Sequence, residues 1–575
     1  MIKLLKYIKK QYLIILIAAV LIFIQVMTNL NLPRLMSRII NEGVLQSDVD
    51  KIWSIGLDMI IITIISSLSI IMASYLLAKI AALFGENVRR ALFTKVTYAS
   101  KEQLSQFGVA SLVTRSTNDI TQLQQFIVMW RLLIMAPLMG VGGIIMAISE
   151  APSMSYIIFV VILLLMITLA SALFFALPLF KSLQVKLDKL NRVLREFLTG
   201  LRVIKAFNKS EAEKQRFKEA NQDLTDTTRK VTRIMVFIIP VMMLIMNAST
   251  ILIIWVGGHQ IISNGVEIGS IMAFMQYVMQ VLFSFLMLAM IFVFIPRAQV
   301  SAGRINEVLD SPDQLQDIGQ KAKPAEVQNV SLEFRNVTFK YQHAERAVLK
   351  NISFTGTGGE FIAIIGGTGS GKTTLIDLLP RFYDVSEGEI LINGINIKEY
   401  SLKNLRDYIS LVPQKAVIFN GTIKDNITLG SQEGSDAEVE KAAAIAQASE
   451  FIETLEQGYE TPVAQDGSNL SGGQKQRLSI ARAVFKNPDI YIFDDSFSAL
   501  DFKTDSLLRK ALRENIKSKL ILTIAQRVNT ILDADKIIVL DKGEIVGIGT
   551  HKELYQSNEV YKEIVLSQME EGEVA

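Results

Sequence analysis

The chain of 575 residues contains no cysteine. That removes disulfides, thiol nucleophiles and every zinc or iron–sulfur site built on thiolates, while leaving the compartment open. Charge is also scarce. Only 20% of residues are Asp, Glu, Lys or Arg, and they nearly cancel to a net +3, so nothing points to nucleic acid. Histidine is rarer still, with three in all: His259, His343 and His551. Against these shortages, half the residues are hydrophobic and the mean hydropathy is +0.34, too apolar for an ordinary soluble protein. The length implies two or more domains.

The apolar residues are unevenly placed. Up to about Pro296 they come in long runs; beyond it they alternate with charges. Six runs reach the roughly 20 residues that a bilayer crossing needs: near 12–32, 55–82, 128–149, 156–179, 234–256 and 270–296. Lys3, Lys6, Lys9 and Lys10 precede the first, as in a signal peptide. Its apolar run is too long for one, and no A-x-A-like cleavage site follows. Met1–Lys10 therefore reads as an amphipathic lead-in at the cytoplasmic surface.

Loop charge sets orientation. Residues 180–233 are dense in Lys and Arg (Lys181, Lys186, Lys189, Arg192, Arg195, Arg202), and 83–127 carry Arg89, Arg90, Lys95, Lys101 and Arg115. The stretches 150–155 and 257–269 have neither. In the first outer loop Arg34, Arg38 and Lys51 are balanced by Glu42, Asp48 and Asp50. Both termini and the two long basic loops are expected in the cytoplasm. Leu183, Leu187, Leu190, Leu194 and Phe197 recur at helical spacing, so these loops read as helices continuing beyond the membrane. Gln299–Ala325, with Asp310-Ser311-Pro312 and Lys323-Pro324, reads as a linker. The expected organisation is a membrane domain at 1–300, a linker at 301–326 and an α/β domain at 327–575.

Within that last domain, the apolar run Phe361–Ile365 leads into Gly366-Gly367-Thr368-Gly369-Ser370-Gly371-Lys372-Thr373-Thr374. The glycines let backbone N–H groups close around phosphate oxygens, Lys372 reaches the terminal phosphates, and the Thr373 hydroxyl ligates Mg²⁺. The following helix turns its positive end to the same phosphates. This is a nucleoside triphosphate site. Ile490–Asp494 is an apolar strand ending in a carboxylate, which is how such proteins hold Mg²⁺ opposite the phosphate loop. Leu470-Ser471-Gly472-Gly473-Gln474 opens another helix and forms a second anion-binding device. One ATP needs only one phosphate loop, so the second device points to an ATP held by another domain.

Phosphate loop, Ser-Gly-Gly turn and acidic strand, in this order, resemble the ATP-binding cassette (ABC) exporters. The likeness is to half-transporters with one six-helix membrane domain followed by an α/β P-loop nucleotide-binding domain, and it covers nearly the whole chain. It implies ATP and Mg²⁺ as cofactors, and ATP hydrolysis coupled to transport. It implies that Tyr341 stacks on adenine, that Gln414 reaches Mg²⁺ and couples to the membrane domain, and that Ser498–Asp501 is the loop contacting the partner domain. It likens Thr114–Asp119 and Arg202–Phe207 to the two intracellular loops, whose tips transmit motion. Ser471, Gly472, Gly473 and Gln474 would complete the ATP site of a second half-transporter.

Two positions depart from the family pattern. The usual Glu after the strand carboxylate, the general base for water, is Asp495 here. The usual His after the partner-contacting loop is Gln526, and none of the three histidines fits that place. Asp is one methylene shorter, and a base must sit within about 2.6–3.2 Å of its proton donor. A glutamine bonds a phosphate but carries no imidazolium charge. The expectation is a site that binds ATP well and hydrolyses it poorly, in a heterodimer whose partner supplies Glu and His. It resembles the degenerate-site subunit of bacterial heterodimeric multidrug exporters.

Few charges lie within the membrane runs. Asp58 and Arg131 sit near span ends, where structural pairing competes with a substrate role. The sixth run carries Met272, Phe274, Met275, Met279, Phe283, Phe285 and Met287, with Gln276 and Gln280. Soft residues of this kind suit promiscuous apolar binding, but equally lipid contact and packing. Amphipathic or hydrophobic small molecules are the expected cargo. The same architecture also fits a dedicated lipid or peptide exporter, or an ATP-sensing membrane regulator.

Overall fold

The computed structural model describes residues 1–262, 266–312, 329–342, 344–431 and 434–568. His343, residues 313–328 of the expected linker and part of the 257–269 stretch lie outside them. The chain forms two compact units. One comprises Met1–Tyr98 and Phe107–Ser311, the other Ala99–Gln106 and Pro312–Ala575. The segment Ala99–Gln106, placed by sequence in a membrane-domain loop, thus belongs structurally with the second unit.

The first unit is helical throughout. Its lead-in is two short 3₁₀ turns, Ile2–Tyr7 and Lys9–Gln11, with Leu4 and Ile8 buried beneath exposed lysines. Helices α1 (Tyr12–Arg38) and α2 (Val49–Thr97) follow; after the short α3 (Lys101–Phe107), which belongs to the second unit save for its last residue, come α4 (Val109–Thr114) and α5 (Ile120–Val128). The long rods are α6 (Trp130–Glu150), α7 (Ser155–Thr199), α9 (Ser210–Ile262) and α10 (Ile268–Leu309), with α8 (Leu201–Ala206) between α7 and α9. Five helices among the described residues are long and apolar enough to cross a membrane, and Pro152–Thr168 is a shorter apolar stretch where the fourth span was expected. Helix α10 continues to Leu309, so the start of the expected linker is helical instead.

Packing follows small residues and buried polar bonds, the usual adhesive between helices in lipid. Gly140 and Gly143 of α6 lie against α10: a Cβ on Gly140 would come within 2.8 Å of Ser284 Oγ, and one on Gly143 within 3.0 Å of Val281. Tyr277 OH donates to the Leu30 carbonyl at 2.8 Å, and Ser66 Oγ to Asn29 Oδ1 at 3.0 Å. The Thr114–Asp119 motif contains a π-helical turn, Arg115–Asp119, tied to α10. Arg115 pairs with Glu307 at 2.9 Å, and Ser301 Oγ donates to Asp119 Oδ1 at 2.8 Å. Helices α7 and α9 pack along one another, joined by Lys186, which bonds Asp223 at 2.5 Å and Thr227 at 2.8 Å. Leu183, Leu190 and Phe197 of α7 are half-buried. Val193 is buried, while Leu187 and Leu194 are exposed.

The second unit is an α/β layer structure. Strands β1 (Ser331–Phe339), β2 (Leu349–Thr357), β4 (Glu387–Ile392) and β5 (Ile395–Asn396) form an antiparallel sheet in the order β2-β1-β4-β5. A second sheet runs β12-β11-β3-β10-β9-β6. It is built from β3 (Phe361–Gly366), β6 (Ile409–Val412), β9 (Ile490–Asp494), β10 (Leu520–Ile524), β11 (Lys536–Asp541) and β12 (Glu544–Gly549). It is parallel except for the β11–β12 hairpin. The short strands β7 (Gly421–Thr422) and β8 (Pro462–Val463) pair separately.

Strands β9 and β10 are buried along their whole length, as a parallel sheet covered on both faces requires. Alternation divides their side chains between two cores. Tyr491 and Phe493 enter one with Ala363 and Val539; Ile490 and Ile492 enter the other with Ile364 and Leu540. The helices are α11 (Lys372–Leu378), α12 (Leu402–Asp407), α13 (Ile423–Thr428), α14 (Asp436–Ile445), α15 (Ser449–Glu453), α16 (Gly472–Lys486), α17 (Phe502–Asn515), α18 (His551–Ser557) and α19 (Glu559–Leu566).

Candidate nucleotide site

The site grows from the carboxyl ends of three adjacent strands, β3, β10 and β9, where ligands of open α/β sheets bind. β3 ends at Gly366 and the chain turns through Gly367–Gly371 into α11. Gly369 and Gly371 adopt φ of +80° and +100°, a region that disfavours side chains. A Cβ on Gly367 or Gly369 would meet nothing within 4 Å, so the loop opens onto free space. Lys372 Nζ folds back and donates to the carbonyls of Gly366 and Gly367, both at 2.8 Å. Burial pushes its ammonium below the usual lysine range, opposed by Asp495 and Asp494. Ser370 Oγ is buried without a partner. An open cradle, a desolvated cation and an orphaned hydroxyl together fit a phosphate chain.

The metal end is also assembled. Asp494 closes β9, and Thr373 of α11 hydrogen-bonds to it. Burial pushes Asp494 up to about 6, reinforced by Asp377 and Asp495 and opposed by Lys101 and the Thr373 bond. A carboxylate under that strain is relieved by a divalent cation. Thr373, Asp494 and Gln414 fit Mg²⁺ by type, all being oxygen donors. Thr368 lies in the loop and Thr374 beneath it, where its Oγ1 is 3.1 Å from Tyr341 OH. Tyr341 follows β1 and stands edge-on to Phe339 at 4.8 Å and Tyr383 at 5.3 Å, so its ring is held from two sides.

Asp495 adopts φ +48°, the left-handed region that Asp tolerates better than most residues. Its N–H donates to the Ile524 carbonyl at 3.0 Å, and its carboxylate accepts from Gln414 Nε2 at 3.0 Å. Gln526 is exposed just beyond β10; its carbonyl accepts from Gln568 Nε2, whose Oε1 in turn accepts from Val528 N–H. The Gln568 clamp was not foreseen, since a lone Gln near the chain end carries no sequence signal.

The Ser-Gly-Gly turn occupies a different part of the unit. Helix α16 packs on α13, α14 and β6, whereas α11 packs on β3 and β9. Ser471 caps α16, accepting from Gln474 N–H, while Gln474 Oε1 accepts from Ser471 N–H. A Cβ on Gly472 would meet nothing within 4 Å, and one on Gly473 would touch the Ala499 carbonyl at 3.5 Å. Gln476, also unforeseen, is buried and donates to the Pro413 carbonyl at 3.2 Å, tying this helix to the Gln414 segment. Asp501 caps α17 through Thr504 N–H at 3.0 Å, and that bond holds its carboxylate below the usual range.

In the membrane unit, Arg131 donates to Ser74 Oγ at 3.1 Å and Asp58 is exposed. Phe274 is fully buried while Phe283 faces outward, so the Met and Phe residues of α10 do not share one environment. Gln280 Nε2 donates to the Asn29 carbonyl at 3.3 Å. In the 202–207 segment, α8 has no buried residue.

Comparison with known proteins agrees with this geometry. Residues 15–285 match the ABC transporter transmembrane region and 349–498 the ABC transporter domain. An uncharacterized ABC transporter ATP-binding protein of Mycobacterium tuberculosis is 38% identical over 549 residues, covering 95% of this chain and 94% of the relative. One from Bacillus subtilis is 36% identical over 98% of both chains. A putative multidrug export ATP-binding/permease protein of Staphylococcus aureus is 32% identical over 83% of both.

Proposed function

This chain belongs to the ABC transporter family, a multi-pass membrane protein that couples ATP hydrolysis to transport, and from that premise we propose that it is the slow-site half of a heterodimeric exporter of amphipathic compounds. The observation carrying this reading is Asp495. It stands where water is activated, is one methylene short of the usual Glu, and has its carboxylate bonded to Gln414. Gln526 offers only neutral hydrogen bonding.

Mg²⁺, when bound, supplies charge neutralisation on the phosphates. The chain's own residues do the rest. Lys372 and the loop N–H groups bind and orient the phosphate chain, Tyr341 positions the base, and Thr373 and Asp494 hold the metal. Asp495, one methylene shorter than Glu, would reach the attacking water less well as a base. Losing base catalysis costs about 10²–10⁴-fold, so ATP would stay bound far longer than at a complete site. The intact turn Ser471–Gln474, set apart from α11, is suited to close over an ATP held by a partner half-transporter whose own base is complete. Export of amphipathic compounds is supported by the printed name of the Staphylococcus aureus relative.

The test is ATPase turnover of the purified complex with its partner subunit. Alanine at the partner's base should abolish turnover, and Asp495→Ala should leave most of it. Equal loss from both changes would make Asp495 a working base. Robust transport by a purified homodimer would rule out the heterodimer. Efflux assays across compound classes test the cargo, and strict dependence on one lipid or peptide would reject multidrug export.

A further inference from the structure

Asp377 lies on α11, four residues after Thr373 and on the same face. Its side chain is 7% exposed, and its charge is met by Lys101, whose Nζ stands 2.6 Å from Asp377 Oδ2. Among the described residues no other cation comes within ion-pair distance of it; Lys372 is turned toward the Gly366 and Gly367 carbonyls instead. The Lys101 ammonium also lies 5.8 Å from the centre of the Phe382 ring. The next residue, Glu102, accepts from the N–H of Gln342 at 3.2 Å, directly after the adenine-side Tyr341. Gln103 Nε2 donates to the Pro312 carbonyl. Consecutive residues of Ala99–Gln106 thus hold the phosphate helix at one point and the adenine-side loop at another.

Asp377 is buried and Lys101 half-exposed, so removing the lysine leaves a buried carboxylate uncompensated, which is costly. Here that charge would be a carboxylate on the helix whose N-terminus would receive the triphosphate, near enough to Asp494 to act on it. ATP would then meet one more negative charge at its most negative end. We propose that Lys101 is a positioning residue for nucleotide: by compensating Asp377 it completes the phosphate end of this site, so ATP binds tightly only while Ala99–Gln106 is seated. The inference rests on Lys372 and Asp494 being the nucleotide site. By reciprocity, bound ATP holds the segment in place.

The experiment is titration of the full-length chain in detergent with the fluorescent analogue trinitrophenyl-ATP and Mg²⁺, with melting temperature followed in parallel. Lys101→Met should raise Kd about tenfold, within the range of coupling between linked sites. Lys101→Arg should keep the wild-type value. Adding Asp377→Asn to Lys101→Met should recover most of the lost affinity, because the charge needing compensation is gone; a packing role for Lys101 predicts no recovery. Unchanged Kd in Lys101→Met overturns the proposal. So does failure of Asp377→Asn to recover binding in a double variant that melts as wild type. Wild-type binding indifferent to Lys372→Ala would overturn the site assignment beneath it.

Discussion

Gln414 Nε2 and Asp495 Oδ2 are 3.0 Å apart, a hydrogen bond between the residues just beyond two paired strands, β6 and β9. The bond engages the Gln414 amide nitrogen and one oxygen of the Asp495 carboxylate. While Nε2 is bonded to Asp495, Gln414 Oε1, the atom that would ligate a metal, stays out of this contact. While accepting from Gln414, the Asp495 carboxylate has one oxygen fewer to offer water. A glutamate side chain, reaching farther, would be freer to engage water beside this contact.

Asp495→Glu combined with Gln526→His should therefore raise turnover at this chain's own site by about 10²-fold, the scale of a well-placed general base. The measurement is ATPase rate in the complex with the partner's base replaced by alanine, so that only this site turns over. No increase would place the block elsewhere than in these two side chains.

Gly472→Glu separates the two roles of the chain. Added atoms at Gly472 meet open space, so the chain folds as before. A carboxylate there would face the phosphates of the partner's ATP. Turnover of the complex should fall by about 10²-fold or more, as when an electrostatic stabiliser is lost or opposed. Trinitrophenyl-ATP binding to this chain alone should stay unchanged. Loss of that binding too would mean the turn serves its own chain.

Asp494 sets a pH dependence. Its carboxyl is raised to about 6, chiefly by burial. Protons and Mg²⁺ compete for it, so below about pH 6 Mg²⁺-dependent nucleotide binding should weaken by up to about tenfold per unit. The stability sign is the reverse of a salt-bridged carboxylate. A raised folded value means the metal-free chain is stabilised by protonation and loses that contribution as pH rises from the ordinary Asp value through about 6. Melting curves at pH 5 and pH 7, with and without Mg²⁺, should show the metal stabilising more at pH 7.

The glycine loop lies between β3 and α11, Asp494 ends β9 and Ser471 caps α16, as the sequence reading expected, because each feature needs fixed residue types at fixed spacing. Apolar run length located five of the six expected spans among the described residues; at the fourth only the shorter apolar stretch Pro152–Thr168 is found. What stayed hidden depended on long-range contact. Lys101 looked like one of many cytoplasmic cations, and Asp377 like an ordinary helix residue; only folding brings them to 2.6 Å. Gln476 and Gln568 carry no local signal, as a glutamine gains meaning only from the carbonyl it reaches. Lys186 of α7 pairs with Asp223 on α9, a contact that periodicity within α7 cannot foresee. The linker boundary slipped because Gln299–Leu309 extends a membrane helix with no breaker until Pro312.

Tyr341 offers the sharpest separation of ring from hydroxyl. Its ring is fixed edge-on by Phe339 and Tyr383, which leaves a face for adenine, while its hydroxyl sits 3.1 Å from Thr374 Oγ1 under the phosphate loop. If the face does the binding, Tyr341→Phe keeps affinity near wild type. Tyr341→Ala should then weaken it by about tenfold, since stacking on an aromatic contributes about 1–3 kcal/mol per base. Competition between trinitrophenyl-ATP and unlabelled ATP or inorganic triphosphate reads this directly. Triphosphate has no base to stack, so its affinity should not change in either variant. If Tyr341→Phe loses as much as Tyr341→Ala, and triphosphate binding falls with it, the hydroxyl acts by bracing Thr374 and the phosphate loop, and the stacking role fails.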